Sequence, residues 1–269
     1  MLSKSSKKYF NLYNKMRYFF YRLKLNEKNY FNLILKGIIP RPHYAFGLFY
    51  SAAYASQLGY KKISVIEFGC WECEGLLDLE HFADEIEKIF KIKIEIYGFE
   101  GGEGMPEPKD FKDRLYQFSA GEMKLSNDSY LKKLKKSRVI LGNFSKTVPN
   151  FIKENKFAPL AATFNDADYF FSTKDSLEIL NQENKLPKVF LYFDDLNFSS
   201  SNTGELGAIN EYNSFNYSKI EAIPELAETM SMYWKKWGFL AKRFFLHHDF
   251  NHKKYNQRYI NPFYKNLNN

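Results

Sequence analysis

The sequence is short of the groups that carry several common chemistries. Its 269 residues contain two cysteines, Cys70 and Cys73, spaced as C-x-x-C. A structural zinc site wants four ligands, and no second cysteine pair or nearby histidine cluster completes one. The thioredoxin context for a redox dithiol is missing too, so the pair reads as two small loop residues in a reducing cytoplasm. No apolar run approaches the ~20 residues needed to span a bilayer. The early apolar stretch Tyr18 to Tyr21 is too short for the core of a secretory signal. The expectation is a cytoplasmic protein with no membrane span. The G-x-G-x-x-G fingerprint is absent, and with it the usual pyrophosphate cradle of a nicotinamide-dependent enzyme. No internal repeat or low-complexity linker interrupts the chain.

What is present describes an ordinary globular chain, 45 % apolar and 26 % charged, with a high aromatic share of 19 %. The net charge of +8 is unevenly spread. Residues 1–24 carry seven basic side chains and no acid, residues 235–269 carry eight against Asp249 alone, and the stretch between is left at −6. A nucleic-acid groove would not leave the middle of the chain acidic, so no nucleic-acid partner is expected. The basic ends read as solvated, with an anionic surface or phosphorylated ligand as the alternative. Their aromatic content would suit a homodimer surface.

Residues 1–60 read as an N-terminal helical extension and 61–269 as the main domain. Polar-aromatic helix is expected over 1–37, ending at Gly37 and Pro40-Arg41-Pro42, and a second helix over 43–58, stopped by Gly59. Short apolar runs at 63–68, 92–99, 138–141, 159–164 and 188–193 then alternate with helices at 76–90 and 173–180, and 131–137 reads as a basic helix end. Such alternation predicts an α/β fold: a Rossmann-like, doubly wound, mostly parallel sheet with helices on both faces. A late helix over 224–237 leads to a strand over 240–247, which the extended segment 259–264 would join as an antiparallel C-terminal edge. Ligands of such sheets bind at the carboxyl ends of the strands.

The polar residues at those strand ends are therefore the ones to weigh. After the first strand comes Glu67-Phe68-Gly69-Cys70-Trp71-Glu72-Cys73-Glu74-Gly75, in which Gly69 and Gly75 permit a sharp turn. Its acids would repel a pyrophosphate but suit a cationic, phosphate-free nucleoside; a plain surface turn is the alternative. Glu100 closes the second strand, where a carboxylate can accept hydrogen bonds from both ribose hydroxyls. Asp166 and Asp168 follow the fourth strand, Asp194 and Asp195 the fifth. Four clustered acids need something positive among them, and oxygen-only ligands favour Mg²⁺ or Ca²⁺ over zinc. The alternative makes one or two of them helix caps, Asp168 for example.

In this order the residues resemble the macrocin O-methyltransferase family and related class I S-adenosylmethionine (AdoMet)-dependent methyltransferases of surface-polysaccharide synthesis. The resemblance runs from about residue 42 to 220 and rests on ISVIEFGCWECEGLL, IYGFEGGEGMPEP, VILGNFSKTVPNF, TFNDADYFFST and YFDDL. Its specific elements are F-E-G-L-P-E-P after strand two and D-x-D-x-Y-x-S-T after strand four. The chain departs from it by carrying Glu72 and Cys73 where relatives have glycines, and by doubling the aromatic as Tyr169-Phe170. The resemblance implies that Glu67, Gly69 and Gly75 hold the methionine part of AdoMet and Glu100 its ribose, with Asn143 and Phe144 flanking the adenine. It also implies a Mg²⁺ site at Asp166, Asp194 and Asp195.

The implied reaction is displacement at the sulfonium methyl by an oxygen of a small acceptor, a sugar or a sugar-linked, phosphorylated intermediate. Catalysis would then be alignment plus proton removal, with Asp166 and His43 as candidates. His247 and His248 are weaker ones. Arg41 would pair with a phosphate or carboxylate on the acceptor, and Tyr169 and Glu205 would line its pocket, with Asn210 and Glu211 nearby. Three rivals stand beside this reading: a binding protein of the same fold without methyl transfer, a nicotinamide-dependent oxidoreductase, and a nucleic-acid methyltransferase.

Overall fold

A computed structural model describes residues 26–115, 117–125, 130–154, 156–233 and 238–267. Seven strands form one sheet: β1 (Lys62–Phe68), β2 (Lys93–Glu100), β3 (Arg138–Leu141), β4 (Leu160–Asn165), β5 (Lys185–Phe193), β6 (Lys219–Ala222) and β7 (Phe244–His248). Their order is β3-β2-β1-β4-β5-β7-β6. The pairs from β3 to β5 are parallel, and β7 is inserted antiparallel between β5 and β6. The described helices are α1 (Glu27–Leu35), α2 (Pro42–Gln57), α3 (Glu74–Phe90), α4 (Phe144–Glu154), α5 (Phe170–Leu177), α6 (Gly204–Phe215), α7 (Pro224–Tyr233) and α8 (Pro262–Leu267).

The central strands are buried along almost their whole length because helices cover both faces. Their side chains alternate between two cores. Val65 on β1 and Phe190 and Tyr192 on β5 face one core with α1, α2, α3, α7 and α8. Ile66, Phe68, Leu191 and Phe193 face the other with α4, α5 and α6. The aromatic excess of the sequence fills these layers, Phe46 stacking on Phe244 at 5.2 Å and Tyr44 on Phe164 at 4.5 Å between ring centroids. Helix α2 starts with Pro at its first position and lies flat on the sheet: a Cβ on Gly47 would come within 2.5 Å of the Phe190 ring.

Several sequence expectations need correction. No helix ends over 131–137; beyond one 3-10 turn (Leu131–Lys133) the backbone N–H groups of Lys135, Lys136 and Ser137 donate to the Glu80 carboxylate. The segment 259–264 adds no strand: β6 supplies the outer partner of β7, and Pro262 opens α8. Residues 238–243 form a 3-10 helix before β7. Helix α4 was not expected, since Pro149 sits inside it and Val148 is its one buried side chain. Residues 1–25 of the helix expected over 1–37, the end of the helix over 224–237, and the basic residues 1–24 lie outside the described residues.

Candidate active site

The parallel ladder continues past the strands, and this lines up their carboxyl ends. Gly69 N–H donates to Phe99 O, Asp166 N–H to Phe68 O, Asp194 N–H to Asn165 O and Gly142 N–H to Glu100 O, all at 2.8–2.9 Å. The turn after β1 is tight, with positive φ at Gly69, Trp71 and Cys73. Gly69 has no substitute there: a Cβ would fall 1.9 Å from the Asp166 carbonyl oxygen. The turn presents the Trp71 N–H to Glu100, whose other oxygen accepts from Gly102 N–H, at 2.7 and 3.0 Å. Each carboxylate oxygen of Glu100 keeps a lone pair for a ligand.

These ends open into a cavity of about 750 Å³. Among the described residues its walls include Gly69, Trp71 and Glu100 at one end and Asp166, Asp168, Tyr169, Asp194 and Asp195 at the other, with Asn143 and Phe144 alongside. The segment between β2 and β3 forms a further wall through Met105, Pro106, Phe118 and Met123. Among the described residues nine carboxylates line the cavity against one cation, Lys109. Sulfonium and ammonium groups suit such a field; a pyrophosphate does not.

The aspartates gather closely. Carboxylate oxygens of Asp166, Asp168 and Asp195 lie within 4.8 Å of one another. Burial, then the charges of Asp194 and Asp195, hold the Asp166 acid well above its ordinary range. Asp168 is pushed up to about 9, first by burial and then by its hydrogen bond to and the charge of Asp195. Glu205, at the start of α6, is fully buried with both oxygens unpartnered, and burial with the same aspartates raises its acid.

The trio that converges differs from the expected one. The Oδ1 of Asp194 is engaged by Tyr192 OH at 2.5 Å and by the Arg243 guanidinium at 2.8 Å, and Asp168 takes the third place. Asp168 is no helix cap, since α5 starts after Tyr169 without a side-chain cap.

Of the other candidates, Glu67, Gly75, His43, Arg41 and Glu205 fall outside the cavity wall, while Asn143, Phe144 and Tyr169 lie on it. Glu67 sits behind the turn, accepting from Tyr44 OH at 2.8 Å, with a Gly75 Cβ position only 1.9 Å from its Oε1. Burial pushes Glu67 up to about 7 against that hydrogen bond. His43 is buried, its ring centroid 5.0 Å from Tyr44 and 4.8 Å from Tyr192, and burial beside Arg41 and Arg243 lowers its pKa to about 3. Arg41 is paired with Glu74 and Asp78 on α3 at 3.2 and 3.1 Å. Asn143 lines the cavity while its Oδ1 caps α4 through Ser145 N–H, and Phe144 packs edge-on to Phe68. The Tyr169 hydroxyl donates to Phe118 O, so its ring faces the cavity from a fixed position. Glu72 accepts from Tyr130 OH, Cys70 and Cys73 are buried free thiols, and buried His247 bonds Tyr212. Asn210 and Glu211 lie on α6, where Asn210 bonds Ser201 O and Glu211 pairs with Lys112 and Lys174.

Sequence reasoning missed the wall from the β2–β3 segment, with buried Asp113 in it and buried Arg114 behind it. No periodic signal marks that segment; only the FEGGEGMPEP resemblance hinted at it.

The strand order with antiparallel β7 gives the chain the Rossmann-like fold of class I AdoMet-dependent methyltransferases. No protein-family model matches the chain, and no curated protein matches its sequence. Among solved structures, the chain is similar to the calicheamicin methyltransferase CalS11, at 19 % identity over 74 % of this chain and 81 % of that one, with a TM-score of 0.49. It is also similar to an O-methyltransferase from Bacillus cereus in complex with SAH, at 13 % identity over 73 % and 82 % of the two chains (TM-score 0.38). A third is the plantazolicin methyltransferase BamL, at 10 % identity over 80 % and 83 % (TM-score 0.37).

Proposed function

We propose that this chain is an AdoMet-dependent O-methyltransferase acting on a small sugar-type acceptor of surface-polysaccharide synthesis, in the cytoplasm. The observation that carries the reading is the strand-end cavity with, among the described residues, nine carboxylates and one lysine on its wall. A dinucleotide or nucleic-acid backbone would meet like charge there, whereas AdoMet brings two cationic groups and no phosphate.

Glu100 would accept from the ribose hydroxyls, with Gly69 and Trp71 giving the turn its close approach. Phe144 and Asn143 would bound the adenine, and the aspartates would face the reacting end. Bound AdoMet supplies an electrophilic methyl group; the protein's part is to align an acceptor oxygen with it, exclude water and take up the hydroxyl proton. A carboxylate of the aspartate cluster, kept ionised by a bound cation, would take the proton rather than His43, which is buried off the cavity wall. Three converging carboxylates with buried Glu205 behind them suit a hard divalent cation such as Mg²⁺, which when bound supplies positive charge at the acceptor oxygen. With Arg41 engaged by α3, an acceptor phosphate would depend on that cation as well.

The test is methyl transfer from isotopically labelled AdoMet to a panel of sugars and nucleotide-linked sugars. Label appearing as an O-methyl ether supports the reading. Binding of AdoMet with no transfer to any acceptor would favour a binding protein on the same fold.

A further inference from the structure

Arg114 is 1 % exposed and stands in the β2–β3 segment with φ +55, as does Asp168 across from it. Two non-glycine residues hold a left-handed backbone only where their surroundings impose it. Between them runs one hydrogen bond, from Arg114 Nη2 to the Asp168 carbonyl at 2.7 Å. The neighbouring Asp113 carboxylate fixes the same junction from the other side, accepting from Phe171 N–H at 3.0 Å and Lys109 N–H at 2.8 Å. Gly204 leaves room for the guanidinium, since a Cβ there would come 3.1 Å from Arg114 Nε. Arg114 Nε and Nη1 have no hydrogen-bond partner, and Arg114 is not on the cavity wall.

We infer that Arg114 is the positioning residue of the aspartate cluster: it locks the Asp168 turn so that three carboxylates converge on one divalent cation. The inference rests on the cluster being a cation site. Arg114 touches no ligand; it acts through the Asp168 backbone. Without it the turn relaxes toward ordinary φ, and the Asp168 carboxylate leaves Asp166 and Asp195.

The experiment uses the full chain, Mn²⁺ as probe (read as the loss of the free-ion electron-paramagnetic signal), and metal-free S-adenosylhomocysteine calorimetry in parallel. Arg114→Met is expected to weaken Mn²⁺ binding tenfold or more and to leave S-adenosylhomocysteine affinity within threefold. In an Asp168→Asn background the same change should add less than twofold, because both residues act through one turn. Arg114→Lys keeps the charge with a shorter reach and should lose three- to tenfold, which preserves the test if the methionine variant does not fold. Unchanged Mn²⁺ affinity in these variants overturns the inference. So does an equal loss of Mn²⁺ and S-adenosylhomocysteine, the mark of a loosened wall rather than a misplaced Asp168. Absence of Mn²⁺ binding by the wild type overturns both the cation site and this inference, while S-adenosylhomocysteine binding reports separately on the cofactor cavity.

Discussion

Glu67 offers a clean test of the electrostatics under the cavity. Its carboxyl is buried with one hydrogen bond, from Tyr44, and its Oε2 has no partner. Burial keeps it protonated up to about pH 7, against an ordinary value of 4.5. Because the folded pKa is raised, the stabilisation is complete below the unfolded value and is lost as pH climbs through the folded one. At about 1.4 kcal/mol per pH unit the whole effect is about 3 kcal/mol, of which about 2 kcal/mol falls between about pH 5.5 and about pH 8. Glu67→Gln keeps an acceptor for Tyr44 and cannot ionise, so this part of the pH dependence should vanish. Urea unfolding of wild type and variant at both pH values, in metal-free buffer, measures it. Asp168, also raised, contributes equally to the two proteins and cancels in the difference. Equal pH dependence in the two proteins would refute the reasoning, because Glu67 would then be ionised in the folded state at neutral pH.

Other expectations follow from single contacts. Gly69→Ala should cost about 2–4 kcal/mol in the same unfolding assay, since it adds a left-handed alanine and a backbone clash at Asp166; a neutral result would contradict the close packing. Asp194→Asn should destabilise the fold by about 1–3 kcal/mol through the loss of the Arg243 pair. Its Mn²⁺ affinity should stay within threefold of wild type, and a large loss would restore Asp194 to the ligand set. His43→Gln should leave the pH–rate profile of methyl transfer without a change near pH 6.5, because the folded imidazole titrates at about 3; a limb that disappears in the variant would make His43 the base.

The strand–helix alternation was legible because central parallel strands are continuous apolar runs and their helices carry regular apolar faces. Glu100, Asp166, Asp168, Asp194 and Asp195 were legible because acids that end such runs must fall on one rim. What stayed hidden depends on side-chain direction. Nothing local says that Asp194 turns to Arg243, nearly 50 residues later in the chain, or that Asp168 takes a left-handed backbone. Arg41 and His43 looked available only because their partners, Glu74, Asp78 and Tyr192, lie far off in sequence. Helix α4 hid behind Pro149, and Arg114 within a segment of turns.

Calorimetry with AdoMet and, separately, NAD⁺ on wild type and Glu100→Ala reaches the central claim most directly. Saturable AdoMet binding by the wild type, weakened tenfold or more in Glu100→Ala and with no heat from NAD⁺, is the predicted result. NAD⁺ binding in place of AdoMet, or AdoMet affinity indifferent to Glu100, would contradict it.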